Sequence, residues 1–216
     1  MKISELLRQR PTLSFEIFPP KNKDGDISSI YSTIDQLAQL KPDFISVTYG
    51  AGGSTTRNTV EIATMIKERW QIESVAHLSC IDATAENLRG VLDQLKEKGI
   101  ENILALRGDY PKGYDPQTAP QEFRHASDLA AFITANYPDA FCLSGACYPE
   151  VHEEADSLEA DLRHLKIKAD AVHPIWSRRS FWTIIIITGC CERRANEASK
   201  CRSWRASCQR QTRSSC

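Results

Sequence analysis

Ser14-Phe15-Glu16-Ile17-Phe18-Pro19-Pro20 is the stretch on which the fold turns. Phe15, Ile17 and Phe18 favour an extended strand, and the Pro-Pro pair stops it because proline cannot donate to a sheet ladder. Glu16 is out of place among these apolar neighbours, one or two residues before the strand ends. On its own the stretch reads as an edge strand with a solvated carboxylate. In a barrel of parallel strands, however, the C-terminal strand ends are where chemistry is done.

Outward from this strand the pattern repeats. A polar loop, Lys21 to Asp26, precedes a helix with Ile30, Ile34, Leu37 and Leu40 at helical spacing, Asp26 being its expected N-cap. Phe44 to Thr48 reads as the second strand, followed by Tyr49-Gly50-Ala51-Gly52-Gly53. A helix capped by Thr55 or Thr56 should turn Val60, Ala63, Met65 and Ile66 inward. Ser74 to Leu78 is the third strand, and Thr84 should cap the helix carrying Leu88, Val91, Leu92 and Leu95, with Gly99 closing it in the left-handed conformation. Asn102 to Leu106 is the fourth strand and runs into Arg107-Gly108-Asp109. A helix over about 123–136, a strand over 141–146 and a helix over about 154–168 complete the series.

Five β-α units in a row imply parallel strands, because each crossover is long enough for a helix. The expected fold is α/β, a (β/α)₈ barrel of which about the first five units are present. A dinucleotide-binding sheet would place G-x-G-x-x-G after its first strand, where this chain has Pro-Pro. Polar groups instead stand at all five strand ends: Glu16, Thr48, His77, Asp109 and Tyr148 with His152. Glu16 and Asp109 suit acid–base work, and the Glu16 carboxyl, walled by Phe15 and Phe18, should have its pKa raised by desolvation. Arg107 suits a phosphate or an acid, and Gly108 lets a ligand approach the backbone. The blander readings are a core histidine bonded to backbone at 77 and a local Arg107–Asp109 ion pair worth little. No His-x-x-x-His or Cys-x-x-Cys spacing supports a metal site, and none is expected.

Five motifs in this order carry a resemblance: Ser14 to Pro20, Val47-Thr48-Tyr49-Gly50-Ala51, Ala76-His77-Leu78-Ser79-Cys80, Ala105-Leu106-Arg107-Gly108-Asp109 and Tyr148-Pro149-Glu150-Val151-His152. Over roughly residues 10–171 the chain resembles the methylenetetrahydrofolate reductase family of the short bacterial type. The resemblance implies a (β/α)₈ barrel holding FAD, with NADH or NADPH as co-substrate. It implies reduction of 5,10-methylenetetrahydrofolate to 5-methyltetrahydrofolate, a step of one-carbon metabolism that supplies methionine. It makes Glu16 the acid that helps open the folate ring, and Asp109 a residue between flavin and folate. It aligns Thr48, Tyr49, Ala51, His77, Arg107, Gly108, Asp109, Ala126, Tyr148, His152, Ala155, Asp161, His164, Ile167 and Lys168 with positions that line the flavin. Full-length relatives are expected to be homo-oligomers. Without the resemblance, a phosphate-binding barrel aldolase or isomerase is the rival enzyme.

Composition sets the remaining bounds. The chain has 216 residues, 41% apolar, 25% charged, with net charge −1, which suits a soluble globular protein. Nothing approaches the roughly 18 apolar residues of a membrane span, and Met1 to Glu5 lacks a signal-peptide core, so a cytoplasmic protein with no membrane partner is expected. Charge is uneven. Residues 172–216 hold nine Lys/Arg and two Glu, leaving 18 basic and 26 acidic side chains before them; they also hold Cys190, Cys191, Cys201, Cys208 and Cys216. That tail departs from the family pattern and lacks the paired cysteines of a zinc site; a basic arm for nucleic acid is the other reading, and no nucleic-acid partner is expected.

The expectation is two segments: 1–171, the N-terminal part of the barrel, and 172–216, an out-of-frame tail. Codons can be chosen for Pro174 to Thr188 that read Asp-Leu-Val-Thr-Gln-Val-Phe-Leu-Asp-Asn-Asn-Tyr-Tyr-Tyr in a neighbouring frame, as the family would have there. Five units cannot close a barrel and leave two strand edges open, so the chain alone is expected to be insoluble or unable to hold FAD, an inactive fragment that at most binds another protein. Sequencing the gene tests the tail: the codons of Ile184 to Ile187 should yield Tyr in the neighbouring frame, and codons that cannot do so would sink the frameshift.

Overall fold

The computed structural model describes residues 1–20, 27–49, 53–81, 83–109, 122–146, 152 and 154–171, with 53–57 and 169 described by backbone alone. Five strands form one parallel sheet in sequential order: β1 (Ser14–Ile17), β2 (Phe44–Val47), β3 (Glu73–Ser79), β4 (Asn102–Leu106) and β5 (Cys142–Gly145). Between them run α2 (Ser28–Gln39), α3 (Gly53–Trp70), α4 (Ala85–Glu97) and α5 (Ala126–Asn136), and α6 (Leu158–Ala171) follows β5. A doubly wound sheet reverses its strand order at a switch point. This one does not, so the five units are consecutive staves of a barrel.

The register separates two faces. Ile45, Val47, Ala76, Leu78, Ile103, Ala105 and Leu143 share the large core with helix residues such as Ile34, Ile66, Leu92, Leu95 and Ile133. Burial of each such side chain stabilises the fold by roughly 1.5–3 kcal/mol. The opposite, inner face carries a small apolar cluster of Ile3, Phe44, Val75, Leu104 and Cys142. Ile3 comes from α1 (Ile3–Gln9), a short helix that the sequence pattern does not announce. Its seven residues hold too few apolar positions for a helical period to register.

Asn102 holds α1 in place. Its Oδ1 accepts from the Ile3 N–H (2.8 Å), and its Nδ2 donates to the carbonyls of Met1 (3.1 Å) and Ser74 (3.3 Å). The side chain is fully buried. Arg10 closes the other end of the helix by pairing with Asp43, which also accepts from the Leu13 N–H.

Several expected boundaries shift. The first strand ends at Ile17, one residue after Glu16 as expected, but α3 starts at Gly53, so Thr55 and Thr56 lie inside the helix rather than capping it. The helices expected from about 123 and 154 begin at Ala126 and Leu158. Asp128 reaches back to the N–H groups of Arg124 and His125, which satisfies the start of α5. Thr84 does cap α4, accepting from the Asn87 N–H at 3.2 Å, and Gly99 does close it with φ 68. The expected cap Asp26 and the tail from 172 lie outside the described residues.

Asn102→Ala should lower stability by at least about 2 kcal/mol, because it strands a buried N–H and a buried carbonyl at once. Urea unfolding checks this. A loss under about 0.5 kcal/mol would mean that α1 is held by something else.

Candidate functional site

The inner face is rich in polar side chains, and their order follows from the register. Glu16, Ser46, Val75, Asn102 and Cys142 form one row across the sheet. One layer nearer the C-terminal ends stand His77, Leu104 and Ser144, and Ser79 and Leu106 follow above them. Alternation at period 2 produces this layering. It also puts Phe15 and Ile17 on the far face from Glu16.

That corrects the expected wall around Glu16. Phe15 lies behind the sheet, and Phe18 is 71% exposed. The Glu16 carboxyl is still raised above the ordinary carboxylate range, and the cause is desolvation by partial burial. Its surroundings are the inner face itself.

His77 is an inner-face polar side chain that the sheet does not satisfy, as the Ser74 hydroxyl is behind the sheet. It is 6% exposed, and its Nε2 has no hydrogen-bond partner among the described residues. Burial pushes its pKa down to about 4, so the ring is neutral at pH 7. The blander reading of a core histidine satisfied by backbone therefore fails at Nε2.

Above His77 the end of β4 is clamped. The Arg107 carbonyl accepts from the Ser79 hydroxyl and from the Ile81 N–H, both at 2.8 Å. Gly108 then turns the chain at φ 86, in the left-handed region that glycine tolerates. A Cβ there would stand 2.0 Å from Ser79 Oγ. Cys80 packs beside this turn, and burial pushes its thiol up to about 12, which makes it inert. The Arg107 guanidinium forks onto Glu154, donating from one nitrogen to Oε1 at 2.8 Å and from the other to Oε2. Arg107 accordingly holds the Glu154 carboxyl below its usual range. The pairing anticipated with Asp109 is thus made with a residue 47 positions away.

These groups open onto one cleft of about 1420 Å³. Thr48, Tyr49, His77, Arg107, Gly108 and Asp109 line it from the strand ends. Ala126, His152, Ala155, Asp161, His164, Ile167 and Lys168 line it from α5 and the approach to and body of α6. Lys168 caps the Ala146 carbonyl at 2.8 Å, its stem lying over Gly145. Ala51 and Tyr148 lie outside the described residues. Glu16 is not among the residues lining this cleft, although it shares the inner face with His77. Sequence reasoning missed Ser79 and Glu154. Ser79 was legible as the residue two past His77 on the same face, whereas nothing local marks Glu154.

The profile of the family described as methylenetetrahydrofolate reductase matches residues 2–173. The chain belongs to the methylenetetrahydrofolate reductase family. The 5,10-methylenetetrahydrofolate reductase of Pectobacterium carotovorum is 44% identical over 165 residues, 76% of this chain and 53% of the relative. The Escherichia coli enzyme of the same name is 43% identical over 159 residues, 74% of this chain and 51% of the relative. Methylenetetrahydrofolate reductase (NADH) 1 of Arabidopsis thaliana is 39% identical over 181 residues, 79% of this chain and 30% of the relative. The chain spans about half the length of the bacterial reductases it matches. The family therefore accounts for five consecutive barrel units, and no described helix is long and apolar enough to cross a membrane.

The neutral, buried His77 sets a pH dependence. Its folded pKa lies below the unfolded value of about 6.5, so its contribution to stability is present above pH 6.5 and is lost as pH falls towards 4. The loss is roughly 3 kcal/mol, at about 1.4 kcal/mol per pKa unit. Glu16 acts in the opposite sense, costing stability as pH rises through its raised value. Urea midpoints between pH 6.5 and 4 should fall more steeply for the wild-type chain than for His77→Asn. Parallel profiles would show that His77 protonates freely in the folded state.

Proposed function

We propose that this chain carries the N-terminal half of an FAD-dependent 5,10-methylenetetrahydrofolate reductase. The observation that carries the reading is the unpartnered Nε2 of a nine-tenths buried histidine facing a cleft. A buried polar atom left without a partner costs about 1–3 kcal/mol, and a bound polar ligand removes that cost. The cleft exceeds the roughly 300–1,000 Å³ of ordinary small-ligand pockets, which fits a dinucleotide. Arg107 and Lys168 supply cationic ends suited to its phosphates, and Gly108 allows the backbone to approach it.

When bound, FAD would accept hydride from NADH or NADPH and deliver it to the folate's methylene carbon. The chain's own residues do the rest. Glu16, its carboxyl raised by desolvation, would hold the proton given to the folate as the five-membered ring opens. Asp109, exposed after Gly108, would contact both cofactor and pterin. His77 would donate from or accept at Nε2 to fix the ring system, and Thr48, Tyr49 and His152 would line it.

The second reading concerns this chain alone. β1 and β5 each have one unpaired side among the described residues, and the matched part is only about half the length of the bacterial relatives. The family match ends at residue 173, which supports the junction near 171 and an out-of-frame tail beyond it. On this reading the 216-residue chain by itself retains no FAD, as a soluble protein of the cytoplasm or as an aggregate.

A single-chain hybrid tests the site. Residues 1–171 continued in frame by the C-terminal part of the Escherichia coli relative should hold FAD and oxidise NADH. Glu16→Gln in that hybrid should leave reduction by NADH intact and lower folate reduction by about 10²–10⁴-fold. Equal loss of both half-reactions would overturn the acid role of Glu16, and a hybrid that folds without flavin would overturn the cofactor.

A further inference from the structure

We propose that Glu154 is a positioning residue, which holds Arg107 across the cleft in the orientation that receives the phosphates of an anionic ligand. The proposal rests on the reading that the cleft takes FAD, and it concerns a side chain outside the five sequence motifs. Arg107 follows the end of β4, and Glu154 stands 47 positions on, in the segment before α6. The guanidinium donates to Oε1 at 2.8 Å and, from its other nitrogen, to Oε2. Such a bidentate pair fixes the plane of the guanidinium as well as its place. A guanidinium carries five N–H donors and the fork uses two, so the fork alone does not exhaust it for a phosphate.

The Glu154 backbone acts on a second cleft residue. Its N–H donates to His152 Nδ1 at 3.1 Å. An imidazole nitrogen that accepts a hydrogen bond holds no proton, so the neutral ring carries its proton on Nε2. Glu154 thereby sets a cation through its side chain and a tautomer through its main chain, and both Arg107 and His152 line the cleft.

A carboxylate could instead compete with a phosphate for the same arginine, and exposure decides between the two roles. The Glu154 side chain is 56% exposed and that of Arg107 23%. Water and salt screen the Glu154 charge as felt by a ligand in the cleft, but they do not screen the geometry it imposes. Arginine is long and gives up rotamer freedom when it binds. A partner that holds it beforehand reduces that loss. Ser79 and Ile81 fix the Arg107 carbonyl at the same time, so both ends of the residue are set before a ligand arrives.

The test uses the whole 216-residue chain, with inorganic pyrophosphate as probe and phenylglyoxal labelling of Arg107, followed by peptide mass, as measurement. Arg107 should label slowly in the wild type and several-fold faster in Glu154→Gln, with the urea midpoint unchanged because the pair is exposed on its acidic side. Pyrophosphate should protect Arg107 in the wild type, and Glu154→Gln should need at least about tenfold more of it. Glu97→Gln, exposed at the end of α4, should change neither. FAD and riboflavin are then titrated by flavin fluorescence. Glu154→Gln should weaken FAD by a similar factor and leave riboflavin, which has no phosphate, unchanged. Equal labelling of Arg107 in the two chains overturns the proposal. So does pyrophosphate protection that is absent, unchanged or tighter in the variant, the last making Glu154 the competitor. A variant that loses both flavins alike, or its urea midpoint, shows a merely structural role and overturns it too. A pyrophosphate site that depends on Glu154 in a chain that binds neither flavin leaves the positioning role standing and defeats the proposed function instead; FAD held equally by wild type and variant does the reverse.

Discussion

Three inner-face side chains each donate one hydrogen bond backwards to the preceding strand, and the layering of the site depends on them. Ser46 reaches the Phe15 carbonyl (3.4 Å), Asn102 the Ser74 carbonyl (3.3 Å) and Ser144 the Ile103 carbonyl (2.9 Å). Each acceptor is the residue just before the donor's partner in the register. A polar group inside a barrel costs free energy unless bonded, and these three meet that requirement within the sheet. They also pin the register, because a one-residue slip would turn every one of them outward. His77 shares the row of Ser144, and its Nε2 lacks any such partner among the described residues. The contrast marks out the inner face: Ser46, Asn102 and Ser144 are bonded within the sheet, and His77 Nε2 is not.

The same contrast explains what could be read from sequence. Strand order, the β-α alternation and the polar strand ends are local patterns, and Thr84, Gly99 and His77 appear where local chemistry requires them. Thr55 and Thr56 misled because Ser/Thr side chains make helix caps only when the chain enters the helix at that residue, and α3 begins earlier at Gly53. Phe15 misled because adjacency in sequence is opposition in a strand. Glu154 was invisible, since its ion pair with Arg107 spans 47 positions and depends on how the segment before α6 returns across β4.

The clamp at Arg107 shows how a loop residue is aimed without an element of its own. Two donors fix its carbonyl, Glu154 fixes its guanidinium, and Gly108 is held against Ser79 with no room for a side chain. The backbone leaving Gly108 towards Asp109 is therefore directed by β3 as much as by β4. The Arg107–Glu154 pair is exposed on its acidic side, so its worth is mainly positional and its net contribution to stability modest.

Glu16 is where an edge strand differs most from one paired on both sides. Its carboxyl is already raised by partial burial, yet β1 is an edge and Glu16 lies outside the cleft that His77 lines. Acid strength in such a site follows desolvation, and desolvation follows closure. Folding the five described units places Glu16 on the inner face, in the row of Ser46 and Asn102. Any segment laid along the side of β1 that is unpaired among the described residues would raise its carboxyl further. The position of Glu16 is thus encoded locally by the strand register, whereas how far its carboxyl is raised depends on how much water stands around β1.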